Sequence, residues 1–293
     1  MRIRSLNIEA TTVCSANCRF CPRTYFTKRA AGVPAKILDL ERFFSLDFEN
    51  TEVVKFVFCG SFGEPTFHPD FLTIMRFARV HQKYIIIHTN GAIRPPEWWK
   101  ELGNILQYDS RNYVTFGLDG INDETHRPYR GTDFRIVRRN IEAFVEGGGI
   151  AKTQLFVFSH NQHCLDEYKD LVINRLGCKE AIIRASRDYD KVLDKPKNFD
   201  VKTKQENIDD EEPMFCFPED KYEVAIDTDA KIHVCCYFYI HNFIYKYIGE
   251  KELYKPYRTF EEFQRNPTVK YKIFKELDFC KQKCRGFKNT FLE

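Results

Sequence analysis

The chain has 293 residues, enough for one large barrel-like domain with a small appended one, or for two ordinary domains. Its 45 basic residues against 42 acidic ones leave a formal charge of +3 with no long like-charge block. Neither nucleic acid nor a membrane surface is implied as a partner. No stretch approaches the roughly eighteen apolar residues needed to span a bilayer, and the first six residues lack an apolar signal region, so a cytoplasmic protein is expected.

Eleven cysteines form an odd set, which speaks against a closed disulfide framework and for metal binding. The first predicted strand, residues 2–9, leads into TTVCSANCRFCPR, Thr11 to Arg23, where Cys14, Cys18 and Cys21 are spaced x3 and x2. Thiolates are soft ligands, and a loop carrying three of them can hold three corners of a four-iron cube. The fourth iron, without a protein ligand, can then chelate the amino and carboxylate groups of a small molecule. A structural zinc loop is the other reading of these cysteines.

Further short runs of β-branched and aromatic residues fall at 53–59, 84–89, 113–118, 153–159 and 181–185. Helical periodicity is clearest at 133–146, where Phe134, Val137, Ile141, Phe144 and Val145 share a face before Gly147–Gly149, and recurs at 71–81. Strands alternating with helices predict parallel βαβ units, and near-continuous apolar strands such as YIIIH fit a sheet covered by helices. A doubly wound open sheet has the same periodicity. In either fold ligands gather at the carboxyl ends of the strands, where the cysteine loop and several polar or glycine-containing segments lie. Cys59, Cys164 and Cys178 stand alone and read as small buried apolar residues. His68 reads as a turn residue and His126 as structural.

Residues 187–212 are dominated by Asp, Lys, Glu and Asn and read as a linker or mobile loop. Beyond them a hairpin is predicted, with strands at 222–227 and 231–235 around Asp227-Thr228-Asp229-Ala230. A helical stretch follows, reaching Cys280-x3-Cys284. Asp229 is the expected left-handed turn residue, and His233 is expected at the surface by strand alternation. Four thiolates, from Cys216, Cys235, Cys280 and Cys284, would meet at one point, with Cys236 packed behind or serving as an alternate. Iron–sulfur and zinc are both open for such a set.

The cysteine loop, with Phe20 before its last cysteine, resembles that of the radical S-adenosylmethionine (radical SAM) superfamily. Gly60-Ser61-Phe62-Gly63-Glu64-Pro65 resembles that family's glycine-glutamate-proline motif and His88-Thr89-Asn90-Gly91 its threonine-asparagine-glycine segment. Phe116-Gly117-Leu118-Asp119-Gly120 resembles a further segment that usually has serine at Gly117, and Asp123 to Gly131 continues in the family manner. The C-terminal cysteines resemble the auxiliary-cluster extensions called twitch and SPASM, whose turn residue is glycine where this chain has Ala230. The motifs in this order are more specific than any one of them.

The resemblance implies an α/β fold, a partial (β/α)6 TIM-like barrel over 1–187, a polar linker over 188–212 and a small hairpin-and-helix cluster domain over 213–293. It implies a SAM-binding [4Fe–4S] cluster on Cys14, Cys18 and Cys21, S-adenosylmethionine beside Phe20, Gly63, Glu64, Asn90, Asp119 and Asn161, and a second [4Fe–4S] cluster. It implies reductive cleavage of S-adenosylmethionine, hydrogen abstraction by the 5'-deoxyadenosyl radical, and a flavodoxin- or ferredoxin-type electron donor. Arg184, Ser186 and Arg187 are candidates to act on the substrate, Arg184 foremost. A second cluster offers an electron acceptor, which favours dehydrogenation. The first strand begins at the chain's start, so a small-molecule substrate is expected over a peptide, with nucleotide or nucleic-acid modification as further alternatives. A zinc-binding scaffold without catalysis is the rival of another class.

Overall fold

The computed structural model describes residues 3–21, 23–24, 33–186, 189–197, 199, 223–236, 239 and 255–265. Two compact units divide the chain: Ile8–Leu38 with Lys55–Asp200, and Met1–Asn7 with Asp39–Val54 and Val201–Glu293. The division after Asp200 falls within the polar stretch 187–212. The assignment of 1–7 and 39–54 to the second unit has no local signature in the sequence.

In the larger unit, β2 (Lys55–Phe58), β3 (Tyr84–Thr89), β4 (Tyr113–Gly117), β5 (Ala151–Val157) and β6 (Glu180–Ala185) pair in parallel in that order. Strand β1 (Ser5–Ile8), whose Ile8 belongs here, stands next to β2. The order follows the chain, which distinguishes a barrel-type sheet from a doubly wound one, and the sheet ends at β6 without closing. It is the α/β fold of a partial TIM-like barrel.

The crossovers are helical because their apolar residues recur every three or four positions. On α1 (Phe71–Val80) Phe71, Ile74, Met75 and Ala78 are buried. On α2 (Pro96–Leu106), begun by a proline at its first position, Trp99, Leu102 and Leu106 are. The short α3 (Asp123–Arg130) has a reciprocal capping box between Asn122 and Thr125 and ends on Gly131 at φ 69°. Helix α4 (Phe134–Glu146) is capped by Asp133, and α5 is Leu165–Asp170. Phe116 of β4 packs against Trp99 and Phe144, with ring centroids 5.1 and 5.7 Å apart.

Strand alternation splits the sheet into two faces. Ile85, Ile87, Val114, Phe116 and Leu155 are buried on the helix side. The opposite, inner face carries Ile86, His88, Thr115, Gln154 and Arg184. The register sets His88 beside Thr115, Thr115 beside Lys152, and Phe156 beside Arg184.

In the second unit, β7 (Glu223–Ile226) and β8 (Ile232–His233) form the expected hairpin, and Ser5 Oγ donates to Glu223 Oε2 at 2.9 Å. Two expectations are corrected. Ala230, not Asp229, takes the left-handed conformation, at φ 52°. Asp227 holds the turn from below: its Oδ1 accepts from the amides of Asp229 and Lys231, both at 2.9 Å. His233 is buried, not superficial, because its Nε2 reaches Asp227 Oδ2 at 2.8 Å and so has a polar partner inside. The short helices Leu40–Phe44 and Phe260–Arg265 also lie in this unit, where Phe48 meets Phe43 and Phe260. No helix among the described residues is long and apolar enough to cross a membrane.

Candidate active site

Every segment singled out in the larger unit follows the carboxyl end of a strand. After β1, Glu9 is buried and its carboxylate accepts three backbone amides: Ser61 at 2.5 Å, Phe62 at 3.2 Å and Gly63 at 3.0 Å. Burial pushes its pKa up to about 7, against the pull of those donors. Glu9 thereby fixes the Gly60–Glu64 loop. That loop lies directly on the start of the cysteine loop, because Glu64 N donates to Val13 O at 2.8 Å and a Cβ on Gly63 would come within 1.7 Å of Thr11 O. Glycine is the residue that permits the contact.

Glu64 is buried and binds inward. Its carboxylate accepts from Thr66 Oγ1 at 2.8 Å, Thr66 N at 3.2 Å, Thr89 Oγ1 at 2.6 Å and Asn90 N at 2.7 Å. It ties the turn after β2 to the end of β3. Asn90, positioned by that bond, points its Nδ2 at Cys14 Sγ, 3.6 Å away. Asn140, buried in the middle of α4, braces the same turn by donating to Gly91 O at 2.8 Å.

The end of β4 is joined to that of β5. Asp119 Oδ1 accepts from Phe156 N at 2.6 Å, while Asn161 Nδ2 donates to the carbonyls of Asp119 and Phe156, both at 2.9 Å. Both side chains are wholly buried, so they act as framework in this structure. Asp119 also pairs with Arg130 at the end of α3. The Arg130 guanidinium lies over the Tyr129 ring, and its Nη1 is 4.0 Å from Cys18 Sγ. Gly117 makes room for it: a Cβ there would stand 2.6 Å from Arg130 Cζ. The glycine that departs from the resembling motif thus has a local reason.

Cys14, Cys18 and Cys21 come together within electrostatic range. Burial, then Glu64 and the two other thiols, pushes the Cys14 thiol up to about 12. Burial also raises Cys18, with Arg130 opposing it. Cys14 and Cys18 become thiolates more readily around a cationic centre, and Asn90 and Arg130 stand ready as donors to sulfur. Among the described residues no group of three or more Cys, His, Asp or Glu is set to hold a single metal ion. A four-iron cube spreads its thiolates over separate irons, and the donor set fits that group. Phe20 packs near Tyr129 and Phe158, with centroids 6.5 and 6.2 Å away.

His68 is buried as a turn residue, Nδ1 accepting from Asp70 N at 3.1 Å, and His126 is structural, bonded to Asp119 N and Thr132 Oγ1. Cys164 and Cys178 are buried as expected, whereas Cys59 is exposed, since the chain turns away at Gly60 (φ 62°) immediately after β2. Cys235 and Cys236 follow β8 and are partly exposed. Cys216, Cys280, Cys284, Arg187 and most of the expected linker lie outside the described residues. The residues that sequence reading passed over are Glu9, Arg130 and His88. The first two carry charge into a strand end and a helix end where their partners are distant in sequence.

Three thiols on a loop at the carboxyl edge of an open parallel sheet define an enzyme class built to hold a metal–sulfur cofactor. Residues 8–172, more than half of the chain, match the family described as the radical SAM superfamily, and the chain belongs to it. Members use a [4Fe–4S] cluster and S-adenosylmethionine. Over 173 residues the chain is 27% identical to the tungsten-containing aldehyde ferredoxin oxidoreductase cofactor-modifying protein of Pyrococcus furiosus, a match covering 49% of this chain and 47% of that one. The matched region is about half of that relative's length. In fold it is similar to Streptococcus suis SuiB bound to S-adenosylmethionine, with a TM-score of 0.56 and 16% identity over 84% of this chain and 66% of that one. SuiB bound to its precursor peptide SuiA gives 0.58 and 16%, over 86% and 64%.

Proposed function

We propose that this radical SAM protein is an oxidoreductase that dehydrogenates a small molecule, with a second cluster as electron acceptor. The observation that carries the reading is the gathering of Cys14, Cys18 and Cys21 at the carboxyl ends of the strands, beside an inner face that presents His88 and Arg184. The cofactors, when bound, supply one-electron reduction and a hydrogen-atom acceptor. The chain's own residues position and tune. Asn90 and Arg130 donate toward two of the three sulfurs, and the Glu64 and Asp119 networks hold those donors in place.

His88 lies on the inner face near Arg184, and burial followed by that positive charge lowers its pKa to about 4. It is therefore neutral at neutral pH and a weaker base than an ordinary imidazole, placed to accept a hydrogen bond from a substrate hydroxyl. Arg184 orients an anionic or hydroxyl group beside it. The proposed auxiliary ligands are Cys216, Cys235, Cys280 and Cys284, with residues 213–293 as the twitch- or SPASM-like domain. A flavodoxin- or ferredoxin-type protein is the proposed donor. The Pyrococcus furiosus relative, by its name, modifies a cofactor, which supports a small-molecule substrate. Peptide modification is the second reading, favoured by the fold shared with SuiB in its peptide complex.

The test is iron, sulfide and zinc content after anaerobic reconstitution, with absorption and paramagnetic resonance spectra. About eight irons should fall to about four in the Cys14/Cys18/Cys21 triple alanine variant. Zinc with no cluster spectrum overturns the reading. Formation of 5'-deoxyadenosine with small molecules or with peptides as added substrate separates the two substrate classes.

A further inference from the structure

At the opposite end of the strands from the cysteine loop, the larger unit has a cavity of about 340 Å³. Its walls come from the amino ends of the strands: Tyr84 begins β3, Tyr113 begins β4, and Lys179 directly precedes β6. Tyr84 and Thr89 at the two ends of β3 are separated by roughly 17 Å of extended chain, so this cavity is distinct from the cysteine site.

Its lining has a definite chemistry. Arg111, Lys152 and Lys179 contribute three positive charges from three separate segments, and no acidic residue lines it. The charges are held in place: Arg111 Cζ is 4.7 Å from the centre of the Tyr84 ring and Lys152 Nζ 4.4 Å from that of Tyr113. Asp109 pairs with Arg111 and Glu180 with Lys152, both at 2.6 Å, so the surplus positive charge of the lining is that of Lys179. The two tyrosine rings, with Ile86 and Ile150, give apolar walls between the cations.

We propose that this cavity binds a small organic oxyanion, a carboxylate or phosphate carried on an apolar or aromatic body. Lys179 neutralises the charged end, with Lys152 and its Glu180 partner beside it, and Tyr84, Tyr113 and Ile86 enclose the body. The site is independent of the cysteine loop, so it stands or falls apart from the proposed reaction.

The experiment is a calorimetric titration of the intact protein, as purified, with benzoate, and with benzyl alcohol as the uncharged isostere. Saturable benzoate binding is expected, with no matching binding of benzyl alcohol and no displacement by S-adenosylmethionine. Lys152→Gln and Lys179→Gln should each weaken it about tenfold or more, as loss of a charged partner does. Lys179 is exposed, so its variant tests the site even if Lys152→Gln, which leaves Glu180 without its ion-pair partner, folds poorly. Absence of saturable binding, equal binding of benzyl alcohol, displacement by S-adenosylmethionine, or benzoate affinity unchanged in Lys179→Gln each overturns the proposal.

Discussion

Arg130 shows how a single small residue can decide where a charge goes. Its guanidinium occupies the space where a side chain at position 117 would begin, and it neutralises Asp119, which is fully buried. Gly117→Ser should drive the guanidinium out and leave that carboxylate unpaired. The expected loss is about 3–5 kcal/mol of unfolding free energy, typical of a broken buried pair. Urea unfolding of the variant measures it, and a loss under about 1 kcal/mol would mean that Arg130 has another place to go. The pair was half visible in the sequence: Gly117 was noticed as a departure from the motif, but its reason, thirteen residues downstream, was not. Asn90 and the three cysteines were legible because their chemistry sits in contiguous motifs. Glu9 was invisible, since an acidic residue at a strand end has no local signature and its three partners lie 52 to 54 residues away.

At the scale of elements, the parallel strands and the long amphipathic helices follow directly from periodicity. Short elements do not, because two or three residues carry too little pattern. Strand β8 has only two residues, so alternation placed His233 outside when Asp227 in fact holds it inside. Helix α3 is also short and contains Pro128, yet it must end where Arg130 reaches Asp119. Its capping box should therefore matter beyond its size. Asn122→Ala is expected to cost about 0.5–2 kcal/mol. Thermal unfolding of the full chain checks this, and an unchanged midpoint would show that tertiary packing alone sets the start of the helix. The grouping of 39–54 with the C-terminal residues was not legible, because it depends on long-range contacts such as that of Phe48 with Phe260.

For the molecule as a whole, buried titratable groups set a pH dependence with opposing signs. His88 and His126 are lowered to about 4 from 6.5, chiefly by burial. Between those values the unfolded chain binds more protons, so the stability tied to these neutral rings is present above pH 6.5 and is lost as the pH falls toward 4. Glu9, raised to about 7 from 4.5, acts the other way: its contribution is present below 4.5 and is lost as the pH rises through 7. His68 and His160 are lowered as well and Glu64 is raised, so four imidazoles oppose two carboxyls. Acidification from pH 6.5 to 4.5 should lower the urea midpoint, with net proton uptake on unfolding. A midpoint that rises instead would mean that the two carboxyls outweigh the histidines.

The three amides gathered on Glu9 also bear on the order in which the enzyme is put together. A carboxylate that already fixes Ser61, Phe62 and Gly63, and through them Glu64 and Val13, gives the cysteine loop a finished wall to lie against. Maturation is then an act of docking onto a rigid surface, with little ordering left for the incoming cofactor to drive. Hydrogen exchange of the metal-free chain reads this directly. The Ser61, Phe62 and Gly63 amides should be protected to the same degree before and after reconstitution, whereas amides that gain protection only on reconstitution would mean that this wall is assembled by its guest.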